Sequence, residues 1–334
     1  MRAAILTADR PNLAIADVAD PVAGSGDVVV SVSGCGVCGS DLHVTSMLAA
    51  EGSILGHEIA GVIEDIGAGV DGWRIGASVA VRPIAGCGRC DQCERGRPDH
   101  CPSFKLLGYD RAGGFAPFVS VDARELFALS AGIDPVQQPL VEPLAVARRA
   151  ARRAGLRSSD RVAILGGGPI GLAVAAWART LGVERLLVSE PSPLRRDLAA
   201  ALGAIPADPT SAALGETVRA ALGAAPTVVF ECSGRAGLIQ QAMELADVDA
   251  RVVVVGICPS VDEFFPWTGI SKELDVRFAI YYGREDFDET IAALDSHRLD
   301  AAAMVTEEIN LDALPARFAR LVREPDAGKV IVRP

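Results

Sequence analysis

One stretch, residues 161–182, constrains the fold more than any other part of the sequence. It reads RVAILGGGPIGLAVAAWARTLG, an apolar strand-like run, a glycine-rich turn and an apolar helix-like run. Further strand-like runs follow at 185–190 (RLLVSE), 226–234 (PTVVFECSG) and 250–257 (ARVVVVGI), and DVRFAIYY (275–282) is expected to close the series. Strands that alternate with helices form βαβ units around a parallel sheet, and uninterrupted apolar strands indicate a sheet covered on both faces.

The glycine-rich turn has the spacing Gly-x-Gly-x-x-Gly and opens a helix. Such glycines let the backbone approach a pyrophosphate at the helix N-terminus, and an acid ending the next strand can accept hydrogen bonds from a ribose. Glu190 holds that place, and its charge would repel a 2′-phosphate, so NAD is expected rather than NADP. A turn with a purely structural role is the alternative. The predicted cofactor-binding residues are Gly166, Gly168, Pro169, Ile170, Gly171, Glu190 and Arg195.

Arg195 and Arg196 complicate the choice of nucleotide. Both lie close behind Glu190 in the sequence. They either flank the adenosine or belong to the surface of the following helix.

The first part of the chain has a different character. Short apolar runs separated by Gly, Pro and Asp, such as DVVVSVSG (27–34), are typical of strands in a largely antiparallel unit. The helical composition of LAVARRAARRAG (144–155) marks the change to the βαβ region. We therefore predict a β-rich domain made of residues 1–143 and 285–334, into which a parallel-sheet domain, residues 144–284, is inserted.

Charge and hydropathy exclude two classes of partner. The net charge is −11 and the sequence pI about 4.9, with no basic stripe of the kind that binds nucleic acid. The uncharged run at 162–178 is shorter than a membrane span and is interrupted by its glycines and a proline. The N-terminus lacks the pattern of a signal peptide. We expect a cytoplasmic protein.

Four of the eight cysteines form a dense cluster at 86–102. Cys87, Cys90, Cys93 and Cys101 have the spacing C-x2-C-x2-C-x7-C. Clustered thiols in a reducing compartment indicate a metal, and four thiolates make a closed tetrahedral zinc site without room for a substrate. This cluster is predicted to be a structural zinc lobe.

A second set of metal donors is scattered along the chain. Cys38 lies in GCGVCGSDLH, His57 and Glu58 in ILGHEIAG, and Glu142 in LVEPLAV. Thiolate, imidazole and carboxylate are all zinc ligands, and three protein ligands with one open position define a catalytic zinc. Two zinc ions per chain are therefore expected.

The chain resembles the zinc-dependent medium-chain alcohol dehydrogenases, especially their polyol, butanediol and threonine dehydrogenase branch. The resemblance rests on CGVCGSDLH, GHEIAGVI, the four-cysteine lobe, EPLAVA, GGGPIGL, ECSG and KEL, which occur in the family's order over most of the chain. It implies an α/β protein in which a doubly wound Rossmann domain is inserted into a GroES-like catalytic domain, with the active site in the cleft between them.

The resemblance also implies residue roles. Cys38, His57 and Glu142 would hold the catalytic zinc, with Glu58 as an alternate or transient ligand. Asp41 would orient the metal-binding histidine. Ser40 is similar to the family's proton-relay hydroxyl. His43 matches a relay histidine found in some members, although a structural or ribose-contacting histidine is an equal alternative.

Two segments bear on the substrate and on assembly. The segment MLAAEGSILGHE (47–58) lacks the family's usual proline, so we expect an altered wall of the substrate pocket. In EFFPWTGISKEL (263–274), Trp267 is expected to pack in the core, with the cofactor or a neighbouring subunit as alternatives. The resemblance implies homodimers or homotetramers formed through the edge strand at 275–282.

The expected function is a zinc-dependent hydride transfer between NAD and a secondary alcohol, polyol or cyclitol-like substrate and its ketone. Two alternatives remain open. One is an NADP-dependent carbonyl reductase on the same fold. The other is a non-catalytic binding protein that retains the fold.

Overall fold

The computed structural model describes residues 1–43, 49–210 and 213–334. Its strands, in chain order, are β1 (Arg2–Leu6), β2 (Leu13–Asp17), β3 (Asp27–Gly36), β4 (Glu58–Ile66), β5 (Ser78–Val81), β6 (Ile84–Ala85), β7 (Lys105–Leu106), β8 (Phe118–Asp122), β9 (Leu126–Ala128), β10 (Arg161–Leu165), β11 (Arg185–Ser189), β12 (Ile205–Ala207), β13 (Val228–Glu231), β14 (Arg251–Val254), β15 (Asp275–Phe278), β16 (Val305–Asn310) and β17 (Lys329–Arg333).

The described α-helices are α1 (Gly39–His43), α2 (Asp91–Glu94), α3 (Val141–Ala154), α4 (Pro169–Thr180), α5 (Pro193–Ala201), α6 (Leu214–Leu222), α7 (Leu238–Leu245), α8 (Pro266–Ile270), α9 (Arg284–Asp295) and α10 (Leu314–Arg323). Single 3-10 turns occur at Pro98–His100, Ala123–Glu125, Gln138–Leu140, Ala302–Met304 and Leu311–Ala313. Within the described ranges, no helix has both the length and the hydrophobicity needed to cross a bilayer.

The chain divides into two compact units. The first contains residues 1–142, 283–295 and 305–334, and the second contains residues 143–282 and 296–304. The sequence placed all of 285–334 in the β-rich domain, whereas 296–304 clusters with the second unit. In that unit Thr180 Oγ1 donates to the Arg298 carbonyl at 3.3 Å, which ties the segment to the end of α4.

The first unit is built on a mostly antiparallel sheet with the strand order β16-β17-β3-β4-β5-β9, to which β8 adds by pairing with β3. Along β3 the apolar side chains of Val28 and Val30 point into the core, which also receives Phe115 and Phe318. β3 pairs with β4 along nearly its whole length, and it also pairs with β8 near its start and with β17 at its end. This strand therefore organises the unit, and its carboxyl end leads directly to Cys38.

The second unit contains the predicted parallel sheet, which is confirmed. Its described strands follow the order β12-β11-β10-β13-β14-β15, all parallel. This is the doubly wound arrangement in which the order reverses between the first strand and the fourth. The central strands β10, β13 and β14 are almost wholly buried, which explains their uninterrupted apolar sequences.

The two edge strands differ from expectation. β12 has the sequence Ile-Pro-Ala and was not predicted, because its three residues give no periodic pattern. Proline is tolerated in such an edge position, where its missing N–H costs no ladder bond. At the other edge, β15 ends at Phe278 rather than at residue 282, and Tyr281 has a positive φ of 55° that no strand residue adopts.

Candidate active site

The pairing of β3 with β4 brings together three of the scattered metal donors. Gly36, at the end of β3, stands opposite Glu58, the first residue of β4. Cys38 then lies beside His57, and one ligand atom from each of Cys38, His57 and Glu58 lies within 4.8 Å of the other two. Zinc binds thiolate at about 2.3 Å and imidazole or carboxylate at about 2.0–2.2 Å, so one ion can reach all three donors.

Asp41 braces this group from α1. Its Oδ2 accepts a hydrogen bond from the Cys38 backbone N–H at 3.0 Å, and its Oδ1 lies 3.4 Å from His57 Nδ1. Burial disfavours a charged imidazole, but Asp41 and Cys38 outweigh burial and hold the pKa of His57 well above its usual range. A carboxylate beside the remote nitrogen of a metal-binding histidine fixes the orientation of the ring. The arrangement suits a cation between Cys38 and His57.

Glu58 is bound by a residue that the sequence did not single out. Lys329 Nζ lies 2.6 and 2.7 Å from the two carboxylate oxygens of Glu58 and donates to the Val37 carbonyl at 3.1 Å. Both side chains are fully buried, with exposed fractions of 1% and 0%. Burial alone would lower the pKa of Lys329, but Glu58 and then Cys38 raise it above its ordinary value. Lys329 therefore stays charged inside the site.

This ion pair depends on close strand packing. Lys329 opens β17, which pairs with the end of β3 through Ile331 and Gly36. A side chain at Gly36 would overlap the Glu58 carboxylate. The only signal in the sequence was a lysine at the start of an apolar run, KVIVRP, 271 residues after its partner.

Glu142 occupies the first turn of α3 and is buried. Among the described residues, its carboxylate does not join Cys38, His57 and Glu58 within the 4.8 Å spacing. Its charge contributes to the raised pKa of Lys329, after the larger effects of Glu58 and Cys38. Whether Glu58 or Glu142 supplies the third ligand stays a prediction.

The predicted proton carriers lie on α1. Ser40 is half-buried next to Asp41, and His43 is exposed at the end of the helix.

The sequence did not point to Tyr109, whose ring centroid lies 6.0 Å from that of His57. Of the predicted pocket wall at 47–58, Met47 and Leu48 lie outside the described residues.

The four-cysteine cluster is a separate site of the first unit. The sulfur atoms of Cys87, Cys90, Cys93 and Cys101 lie within 4.8 Å of one another. Four sulfurs at about 2.3 Å from one zinc stand about 3.8 Å apart, so the spacing admits the ion. The Arg89 backbone N–H lowers the pKa of Cys87 to about 6, while burial raises that of Cys93 to about 11. One thiol of the cluster therefore loses its proton easily and another holds it tightly. A divalent cation binds cysteine as the thiolate, so binding at this cluster would displace the remaining protons.

The glycine-rich turn lies in the second unit, between β10 and α4. Gly166 has a φ of 99°, which favours glycine, and Gly171 packs so closely on Gly166 that a Cβ would overlap the Gly166 carbonyl oxygen. Gly168 precedes Pro169, the first residue of α4. The turn therefore has the close backbone approach and the helix N-terminus that would suit a pyrophosphate.

Glu190 is buried beside this turn. Its Oε2 accepts a hydrogen bond from the Gly167 N–H at 2.8 Å, and its Oε1 accepts one from the Ser192 N–H at 3.0 Å. Arg196 Nη1 donates to the carbonyls of Glu190 and Pro191 at 2.9 and 2.7 Å. The carboxylate of Glu190 is thus fixed at the end of β11. Arg196 stabilises the loop that contains Glu190 by binding its backbone carbonyls.

Comparison with known proteins shows two family models that match different parts of the chain. The family model "Alcohol dehydrogenase GroES-like domain" matches residues 24–131, and the model "Zinc-binding dehydrogenase" matches residues 169–296. A 2-dehydro-3-deoxy-L-galactonate 5-dehydrogenase of Pseudoalteromonas atlantica is 38% identical over 92% of each chain. The (R,R)-butanediol dehydrogenase of Bacillus subtilis is 31% identical over 98% of each chain.

Solved structures agree over the full length. An alcohol dehydrogenase from Escherichia coli CFT073 in complex with NADH superposes with a TM-score of 0.90 at 26% identity, covering 100% of this chain and 99% of the other. A zinc-binding dehydrogenase from Sinorhizobium meliloti 1021 bound to NADP gives 0.91 at 30% identity with the same coverage. The family resemblance and the fold class predicted from the sequence are confirmed.

Proposed function

This chain belongs to the zinc-dependent medium-chain alcohol dehydrogenases, and we propose that it transfers a hydride between NAD and a secondary alcohol within a polyol, cyclitol or sugar acid. The observation that carries the proposal is that half-buried Cys38 and buried His57 and Glu58 each offer a ligand atom within 4.8 Å of the other two. The names of two relatives, a sugar-acid dehydrogenase and a butanediol dehydrogenase, support a substrate with several oxygen atoms.

In this proposal Cys38, His57 and Glu142 hold the catalytic zinc, and Lys329 holds Glu58 back as the alternate ligand. Zinc bound there would supply Lewis acidity that favours loss of the hydroxyl proton, and NAD would be the acceptor of the hydride. Ser40 Oγ would accept the proton of the substrate hydroxyl as it donates its own, and His43, which is exposed, would take up the donated proton and pass it to water.

NAD is proposed over NADP because of Glu190. The carboxylate is fixed by two backbone N–H groups at the end of β11, where it can accept bonds from a ribose. Arg196 is held by two carbonyls and by Asp208 at 3.2 Å, which gives it a role other than phosphate binding. The second candidate, an NADP-dependent carbonyl reductase, is favoured by the NADP bound to the Sinorhizobium relative. Comparing kcat/KM for NAD and NADP decides between them, and higher efficiency with NADP would overturn the first proposal.

We propose a structural zinc ion at the four-cysteine cluster, which the closed donor set supports. Metal analysis of the purified protein tests both sites together. Two zinc ions per chain are expected. A single ion that survives replacement of Cys93 would place the zinc at the other site only.

A homodimer or homotetramer is proposed through the outer edge of β15, which pairs with no further strand among the described residues. This strand ends the parallel sheet, and two large apolar side chains of the same unit, Phe278 and Trp267, are each 61% exposed. The expectation that Trp267 packs in the core is therefore wrong. Exposed strand edges with apolar side chains pair with other chains unless they are covered.

A cytoplasmic location is also proposed, because the cysteines at both metal sites must be reduced in order to bind zinc.

The experiment that tests the function follows nicotinamide absorbance during incubation of the zinc-loaded enzyme with alcohols, polyols, cyclitols and sugar acids. NAD and NADP are run side by side. Turnover of one substrate class with NAD is expected. Absence of turnover on the whole panel would favour the non-catalytic alternative.

A further inference from the structure

The hydroxyl group of Tyr109 is buried but does not contribute a hydrogen bond to the described structure. The ring itself packs against the core of the first unit, and its backbone N–H donates to the Leu106 carbonyl at 3.2 Å. Phenylalanine would pack equally well. A buried hydroxyl without a partner destabilises the free protein, so such groups call for an explanation in function.

The surroundings of this hydroxyl are those of the candidate active site. The ring lies 6.0 Å from His57, at an angle of 42°. Burial and then Asp41 raise the pKa of Tyr109 well above its ordinary value, with further effects of His57, Ser40 and Cys38. Ser40 acts on this pKa as a hydrogen-bonding neighbour, but by distance and angle the Tyr109 hydroxyl has no hydrogen-bond partner among the described residues.

These neighbours define what the hydroxyl can do. A phenol has an ordinary pKa of about 10, so the hydroxyl carries its proton at neutral pH and can donate a hydrogen bond. Its ring faces His57, a predicted zinc ligand, so a substrate bound at that zinc would lie on the same side of the site as the hydroxyl. A donor in that place finds its partner in a second oxygen, on the carbon next to the one that is oxidised.

We propose that Tyr109 determines specificity by donating a hydrogen bond to the neighbouring oxygen of the substrate, and that the substrate class is accordingly a vicinal diol unit, as in polyols and sugar acids. This inference rests on the proposed function. A polar group left unpaired by a substrate that lacks the second oxygen discriminates against that substrate. The hydroxyl that is unsatisfied in the free protein is thus satisfied in the complex.

The test compares Tyr109→Phe with the wild type on two matched pairs, 2,3-butanediol with 2-butanol and 1,2-propanediol with 2-propanol. We expect the ratio of kcat/KM for diol to kcat/KM for monoalcohol to fall about tenfold in the variant. Ser40→Ala serves as the contrast, because loss of a proton carrier lowers turnover of both members of a pair and leaves the ratio unchanged.

A second readout does not depend on turnover. Because the hydroxyl is unpaired in the free protein, Tyr109→Phe should melt at the wild-type temperature or above. A structural hydroxyl bond would instead make the variant melt about 2–4 °C lower.

An unchanged ratio, an equal loss on both alcohols or a lowered melting temperature would each overturn the inference. So would a wild-type enzyme that oxidises the monoalcohols but not the diols. Failure of the proposed function looks different, since the wild type would then oxidise no alcohol at all.

Discussion

Replacing Lys329 by methionine tests how the candidate active site is held together. Lys329 Nζ makes three hydrogen bonds, two to Glu58 and one to the Val37 carbonyl, and both charged side chains are fully buried. Methionine keeps most of the volume but removes the cation, which leaves a buried carboxylate unpaired. Breaking a buried ion pair from one side costs about 3–5 kcal/mol, and we expect Lys329→Met to lose about that much free energy of unfolding.

The assay is urea denaturation followed by circular dichroism at one fixed zinc concentration. Lys105→Met is the matched control, since Lys105 is 60% exposed and 3.7 Å from Asp110, and its loss should change stability by less than about 0.5 kcal/mol. Adding Glu58→Gln to Lys329→Met removes the orphaned charge and should recover about 2 kcal/mol. A loss below about 1 kcal/mol in the single variant, or no recovery in the double variant, would refute the reasoning.

Three other predictions concern the remaining sites. Glu190→Gln removes the charge beside the predicted ribose and should lower kcat/KM for NAD about tenfold while raising that for NADP, as measured by nicotinamide absorbance; no change in the NAD to NADP ratio would contradict the assignment. Cys93→Ser should reduce the zinc content from two ions to one and lower the melting temperature, and a variant that retains two ions would show that the cluster is not a zinc site. Phe278→Glu places a charge on the outer edge of β15 and should shift the protein toward monomers in light scattering; an unchanged mass would place the interface elsewhere.

The parts of the fold that the sequence predicted are those with local signals. β10 and β14 were recognised because a strand buried on both faces is apolar throughout, and the turn at Gly166 because its glycine spacing follows from close backbone approach. The four cysteines lie within one short segment, so their proximity needed no knowledge of the tertiary structure.

Features that depend on distant pairing escaped prediction. The contact between Lys329 and Glu58 exists only because β17 and β4 both pair with the end of β3. The sequence contains no periodic pattern that predicts how β17 and β4 align with β3. The buried hydroxyl of Tyr109 is similar, because its significance lies in the absence of a partner among the described residues, which only the packed structure reveals.

The most direct test of the central claim compares the wild type with Cys38→Ala for reduction of NAD by a polyol that the wild type oxidises. Cys38 is not part of the four-cysteine cluster, so the variant should keep its fold and one zinc ion. We expect turnover by the wild type and none detectable in the variant. Full activity of a folded Cys38→Ala enzyme would show that the chemistry does not take place at the site of Cys38 and His57.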